Sequence, residues 1–133
     1  MFIKQMLNQT NVPVLERLLE FTSARHNLIA DNIANVDTPG YRQKDMSIDK
    51  FYGLMQQRVA KQDQNPGAEV NFDDIDSEIT HPNTGILFHD GNNRSMEQLQ
   101  TDLAKNGILH NMVIELLRNQ FQGMEAALKE KVS

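Results

Sequence analysis

A helix that has to stop, followed by a turn that few residue pairs can make, constrains this chain more than any other feature. Ala30 to Val36 read as the last turns of an amphipathic helix, and Asp37-Thr38-Pro39-Gly40-Tyr41 follow at once. The ring of a proline crowds the residue before it, so Thr38 is pushed out of the helical region into extended geometry. Pro39 presets φ for the first central position of a type II turn, and Gly40 supplies the positive φ that the second position needs. Asn35, a residue that tolerates left-handed geometry, is expected to cap the helix in that conformation. Physically, Asn32 to Tyr41 is a helix terminus followed by a rigid change of direction.

The helix that stops there runs from Val14 to about Asn35. Leu15, Leu18, Leu19, Leu28, Ile29, Ile33 and Val36 recur at helical spacing, and Pro13 sits where a first-turn proline is tolerated. Thr22, Arg25, His26 and Asn32 interrupt the stripe, which is therefore less oily than a free-standing coiled coil requires. Its length is about 33 Å at a rise of ~1.5 Å per residue. A second and longer helix begins at Ser95, where Ser95 and Gln98 stand in capping-box relation. Its apolar face carries Met96, Leu99, Leu103, Leu109, Met112, Val113, Leu116, Leu117, Phe121, Met124 and Leu128. Running unbroken to about Glu130, it spans about 54 Å. Gly107 and Gly123 each cost about 1 kcal/mol relative to alanine in a helix interior, and Asn106-Gly107 is the expected place for a bend.

Between them the chain is acidic. From Asp45 to Arg94 there are nine acids against four bases, and the net charge of the whole chain is −5. Such a segment is expected to face water. Ile48, Phe51, Tyr52, Met55 and Val59 keep helical spacing between Asp45 and Ala60, with Ser47 as N-cap. Beyond Lys61 the composition is that of loop, with turns at Asn65-Pro66-Gly67 and Pro82-Asn83-Thr84-Gly85. Glu69 to Phe72 and Gly85 to Phe88 are brief extended pieces, enough for a small hairpin. The expected fold is mainly α: long N- and C-terminal helices paired as an antiparallel, coiled-coil-like hairpin around a loop-rich acidic middle with one short helix. The units are residues 1–44 and 95–133, forming one body, and the middle segment 45–94. Met1 to Asn11 is expected to be disordered in the free protein.

Several function classes fall away. No cysteine is present, which removes disulfides, thiolate catalysis and zinc–cysteine sites. No basic stripe exists to hold a phosphate backbone, so nucleic acid is not an expected partner. The N-terminus is too polar beyond its first residues for a secretory signal, and no apolar run is long enough to span a bilayer. His26, His81, His89 and His110 are scattered, and none lies three or four positions from another. His89-Asp90 lacks a third metal ligand. Asp73-Asp74-Ile75-Asp76 lacks the glycine and closing glutamate of an EF-hand loop. Two helices and a polar loop offer little to wall an active-site pocket. No catalytic residue, metal or cofactor is expected. The 7 methionines and the absence of tryptophan suit adaptable interfaces rather than a thick private core.

The run Asn32-Ile33-Ala34-Asn35-Val36-Asp37-Thr38-Pro39-Gly40-Tyr41 resembles the signature of bacterial flagellar axial proteins, the rod, hook and hook–filament junction family. There an Asn-Ile-Ala-Asn-x-x-Thr-Pro-Gly-Tyr pattern ends the N-terminal helix. The resemblance covers roughly Leu15 to Lys44 and Asp90 to Leu128. The Glu-Met-x-x-Met-Ile-x-Ala-x-Arg-x-Tyr ending of many members is absent. Asp90-Gly91-Asn92-Asn93 and Leu103-Ala104-Lys105-Asn106-Gly107-Ile108-Leu109-His110-Asn111 look instead like the proximal-rod type. Arg94-Ser95 and His110 depart from that type's usual residues.

The resemblance implies a structural subunit of the basal-body rod, the periplasmic drive shaft that carries torque for swimming. Its expected partners are itself, other rod subunits, basal-body adaptor and ring proteins, and the flagellar type III export apparatus, which exports such subunits without a cleaved signal peptide. Leu18, Leu19, Ile29, Ile33, Leu103, Val113, Leu116, Leu117 and Phe121 are then the expected assembly interface. Asn32, Ile33, Ala34, Asn35, Thr38, Pro39, Gly40 and Tyr41 set the exit angle of the chain. Phe2 with Met6 and Phe51 with Met55 fit a Phe-x-x-x-hydrophobic pattern of the kind used at the export gate. Two other readings compete: another rod subunit of the same family, and a helical-hairpin adaptor or chaperone that stays in the cytoplasm.

Overall fold

A computed structural model of the chain describes residues 12–65, 87–89 and 94–132. Met1 to Asn11, Glu69 to Phe72, the Asp73–Asp76 cluster, His81, Asp90 and the Asp90–Asn93 run lie outside the described residues. The element order is α1 (Val12–Ala34), β1 (Lys44–Met46), α2 (Ile48–Gln64), β2 (Leu87–His89) and α3 (Met96–Val132). The two long helices pack antiparallel. Thr22 in the middle of α1 meets Asn106 and His110 of α3, and the strap after α1 returns to Arg94 just before α3 begins.

Both predicted helix starts have the expected chemistry. The Ser95 backbone N–H donates to Gln98 Oε1 at 3.0 Å, and the Gln98 N–H donates to Ser95 Oγ at 3.3 Å. Each satisfies a donor that the first helical turn would otherwise leave unpaired. Ser47 accepts from the Lys50 N–H at 3.3 Å in the same way, at the start of α2. That helix runs to Gln64, past the expected end near Ala60.

Four expectations are corrected. No break falls at Gly107 or Gly123: α3 is continuous over 37 residues, and at Gly107 packing on α1 outweighs a glycine penalty of about 1 kcal/mol. Asn35 is not left-handed, since Gly40 is the one described residue with positive φ. The partner of the strand at Leu87–His89 is Lys44–Met46, immediately after the stop; Lys44 faces His89, Asp45 faces Phe88 and Met46 faces Leu87. Finally, the middle segment is not uniformly water-facing. Asp45 and Met46 are buried, and α2 lays Phe51, Met55 and Val59 into the core.

The core is a three-helix junction. Val14, Leu15, Leu18 and Phe21 of α1 cluster with Phe51, Met55 and Val59 of α2, Met46 of β1 and Val113 and Leu117 of α3. Phe21 and Phe51 stack with ring centroids 4.2 Å apart and planes 19° from parallel. Such a pair adds about 0.5–1.5 kcal/mol beyond the area it buries. Leu19, Leu28, Leu109 and Leu116 pack against this cluster half-buried. The short helix is therefore what turns two helices into a core.

Truncating Phe51 to alanine should lower unfolding free energy by about 3–5 kcal/mol in urea denaturation followed by circular dichroism. In the same assay Gly107→Ala should raise it by up to about 1 kcal/mol, since an added Cβ meets no atom within 4 Å.

Candidate functional site

The helix stop is built from side chains that take the place of backbone partners. At the end of α1 the Asn35 N–H donates to Asp31 O at 3.0 Å, and Asn35 Nδ2 donates to the same oxygen at 2.8 Å. Asn35 Oδ1 accepts from Thr38 Oγ1 at 3.2 Å, while the Thr38 N–H donates to Asn35 O at 3.0 Å. One asparagine thus closes the last helical turn and opens the next. The Tyr41 N–H then donates to Thr38 O at 3.3 Å across Pro39-Gly40, with Gly40 at φ 76°. This is the expected type II turn. Open space surrounds Gly40, so its requirement for glycine comes from the backbone angle alone.

Asn32 sits one turn earlier and is buried. Its Nδ2 donates to Lys44 O at 2.6 Å, and its Oδ1 accepts from the Lys44 N–H at 3.1 Å. The amide therefore pairs with residue 44 as a strand would, and holds the returning strap against α1. The Tyr41 hydroxyl donates to the same Oδ1 at 3.4 Å. Loss of water and the nearby Asp31 charge push the Tyr41 pKa above its ordinary value, which keeps the hydroxyl a donor. Gln43 repeats the device: its Nε2 donates to Arg94 O at 3.0 Å, and its Oε1 accepts from the Arg94 N–H at 2.8 Å. Two amide side chains thus tie the strap to α1 on one side and to the start of α3 on the other.

Between these two clamps lies an ion cluster. Arg25 of α1 grips Asp45 through two bonds, Nε to Oδ1 at 2.9 Å and Nη2 to Oδ2 at 3.1 Å. Arg94 Nη1 donates to Asp45 Oδ2 at 2.9 Å and to Asp102 Oδ2 at 3.4 Å. The Asp45 side chain is 5% exposed. Burial would raise its pKa, but the bonds and charge of Arg25, then Arg94 and the Met46 N–H, outweigh burial and hold it below the ordinary carboxylate value. The same pairing holds Arg25 above its ordinary value in spite of burial.

The other expected site residues divide clearly. Leu18, Ile29, Val113 and Leu117 are buried inside the chain, so in this conformation they serve its own core rather than a neighbour. Leu19, Ile33, Leu103 and Leu116 are half-buried, and Phe121 is exposed. Phe51 and Met55 have no exposed surface and are closed to an export receptor while the chain is folded. Phe2 and Met6 lie outside the described residues. His26 and His110, distant in sequence, line one groove of about 400 Å³ with Ser23, Asn27, Asn106, Gly107 and Asn111. Among the described residues no three metal-ligating side chains converge. Asn106 is a missed contact: it is buried and donates from Nδ2 to Thr22 O at 2.8 Å. Gln43, Asp45 and Arg94 were also missed, for no local pattern joins positions about fifty residues apart.

Among the described residues, fold and site together define a helical hairpin whose distinctive feature is a locked helix stop. The profile of the family described as "Flagella basal body rod protein" matches residues 19–42, which is the second half of α1 with the stop. The flagellar basal body rod protein FlgB of Bacillus subtilis (strain 168) is 29% identical over 118 residues, covering 86% of this chain and 89% of that one. FlgB of Salmonella typhimurium is 26% identical over 125 residues, covering 86% and 89%. FlgB of Borrelia hermsii is 23% identical over 131 residues, covering 91% and 97%. The chain is thus similar to flagellar basal-body rod proteins in its helix stop and, at 23–29% identity, over most of its length.

Asp45→Asn should cost about 3 kcal/mol at neutral pH, because it leaves two arginines facing a neutral buried group. The folded pKa of Asp45 lies below the unfolded one. Its stabilisation is therefore complete above about pH 5 and is lost as pH falls through the lowered value. The variant should flatten the acid limb of a stability-against-pH curve. Asn32→Ala should cost about 2 kcal/mol by stranding the Lys44 backbone groups, read from denaturant midpoints.

Proposed function

We infer that this chain is a structural subunit of the flagellar basal-body rod. The observation that carries this reading is the stop itself. The stretch matched by the family profile is the stretch in which Asn32, Asn35, Thr38, Gly40 and Tyr41 hold one another by backbone-mimicking bonds. A subunit of a torque-bearing shaft needs its chain to leave the packed helices at a fixed angle, and this network supplies that rigidity without any ligand. Similarity to FlgB proteins over most of their length favours the proximal-rod type over the other rod subunits.

The chain works by assembly. It associates with other rod components of the basal body and with further copies of itself, and meets adaptor or ring proteins at the end of the shaft. No helix among the described residues is long and apolar enough to cross a membrane. The chain reaches the periplasmic rod through the type III apparatus, exported without cleavage. With Phe51 and Met55 buried, Phe2 and Met6 take the export-gate role. The terminal helices form the inner wall, with contact to neighbours through their half-buried and exposed apolar residues.

In a strain lacking the native gene, Gly40→Val should abolish swimming and leave no chain in purified basal bodies. A β-branched residue at φ 76° is strained by at least about 1–2 kcal/mol, although nothing crowds the position. Normal motility of that strain would remove the turn from the mechanism. Recovery of the unaltered chain only from cytosol would replace the rod reading with the adaptor reading.

A further inference from the structure

Asn106, in the middle of α3, is the one asparagine of the chain that is followed by glycine. The fold has no need of a glycine at 107. Gly40 is the one described residue with positive φ, and a Cβ added at Gly107 would meet nothing within 4 Å, so alanine would serve the helix better. What glycine does supply is a backbone nitrogen with no side chain to shield it. In a flexible chain that nitrogen can attack the side-chain amide carbon of the asparagine before it. A bond forms between Gly107 N and Asn106 Cγ, the Gly107 N–H proton passes through solvent to Nδ2, and the Cγ–Nδ2 bond breaks to release ammonia. Water then opens the five-membered imide at either carbonyl, leaving an aspartate or an isoaspartate at position 106.

Folding closes this route. Asn106 is 1% exposed, and Nδ2, the leaving group, donates to Thr22 O at 2.8 Å. Gly107 lies inside the unbroken α3, so its N–H belongs to the helical ladder. Helical geometry also keeps ψ at Asn106 at about −42°, far from the value that the imide ring imposes.

The same contact has no place for the product. Asn106 Oδ1 is buried and accepts from nothing among the described residues. Thr22 Oγ1 donates to Leu19 O at 2.9 Å, so in its 2.7 Å contact with His110 Nδ1 it accepts, and both donors are already used. An acid at 106 would exchange the Nδ2 donor for a second acceptor against Thr22 O, an ionised group buried without a donor. An isoaspartate would also lengthen the backbone of α3 by one methylene and interrupt its ladder.

We propose that Asn106-Gly107 is a deamidation site open only in the unfolded chain, and that conversion there permanently denies the chain its α1–α3 contact. The pair acts as a timer on the unfolded state: a chain that packs is protected, and one that waits is retired. The proposal rests on this contact alone and is independent of the rod reading.

The purified full-length chain is held at mildly alkaline pH, half in native buffer and half in guanidinium chloride, and position 106 is followed by peptide mapping with mass spectrometry. Conversion should be at least about tenfold faster in denaturant, because in native buffer it is limited to opened molecules. After dilution, the fraction that recovers native circular dichroism should fall in step with conversion. Gly107→Ala, which keeps the contact, should convert several-fold more slowly in denaturant and refold after the same exposure. Equal rates in the two buffers would overturn the protection. A converted fraction that refolds with the thermal midpoint of the unconverted chain, or Asn106→Asp melting together with the parent, would overturn the loss of the contact. Refolding lost equally in Gly107→Ala and the parent would assign that loss to other damage, and so overturn the timer.

Discussion

The base of the helix pair depends on one ionised carboxylate held away from water. Asp45 is gripped by Arg25 from α1 and by Arg94 from the turn before α3, so three parts of the chain meet at one side chain. Burying an ion is costly, and the return comes only when geometry and hydrogen bonds are complete. Here the bidentate Arg25 contact, the Arg94 bond and the Met46 N–H supply four donors. Two clamps of a different kind flank it, Asn32 on Lys44 and Gln43 on Arg94. The strap after the turn is thus locked by charge in its centre and by amide pairing on both sides.

That lock gives the signature turn a mechanical meaning. A Pro-Gly turn alone sets a local angle, but the chain beyond it would still swing. Because Asn32 reaches across the turn to residue 44, the angle set at Gly40 is transmitted to the strap. From there it passes through β1 to β2 and through Gln43 to α3.

Much of this was legible from local pattern. The N-cap at Ser47, the capping box at Ser95, the type II turn and both long helices follow from interactions within four residues, which a sequence displays directly. The resemblance to axial proteins was legible for the same reason, since its motif is contiguous. The ion cluster was not. Arg25 read as an interruption of an apolar stripe and Asp45 as one acid in an acidic middle, because the partner that redefines each lies twenty or more positions away. The phenylalanine pair was hidden likewise: Phe51 fitted both the apolar face of the short helix and an export-gate pattern, and Phe21, which stacks on it, was absent from the predicted seam.

The sequence by itself determined where helices start and stop, and it marked the stop as the chain's distinguishing feature, because capping, proline and glycine act over one turn. Only the tertiary structure decided which apolar residues are used internally and which remain for neighbours. Leu18, Ile29, Val113 and Leu117 share helical periodicity with Phe121, Met124 and Leu128, and no periodicity separates them. Among the described residues the separation follows the reach of α1 along α3: burial on α3 extends only as far as the described partner lies against it, and that reach is set only when the two helices pack.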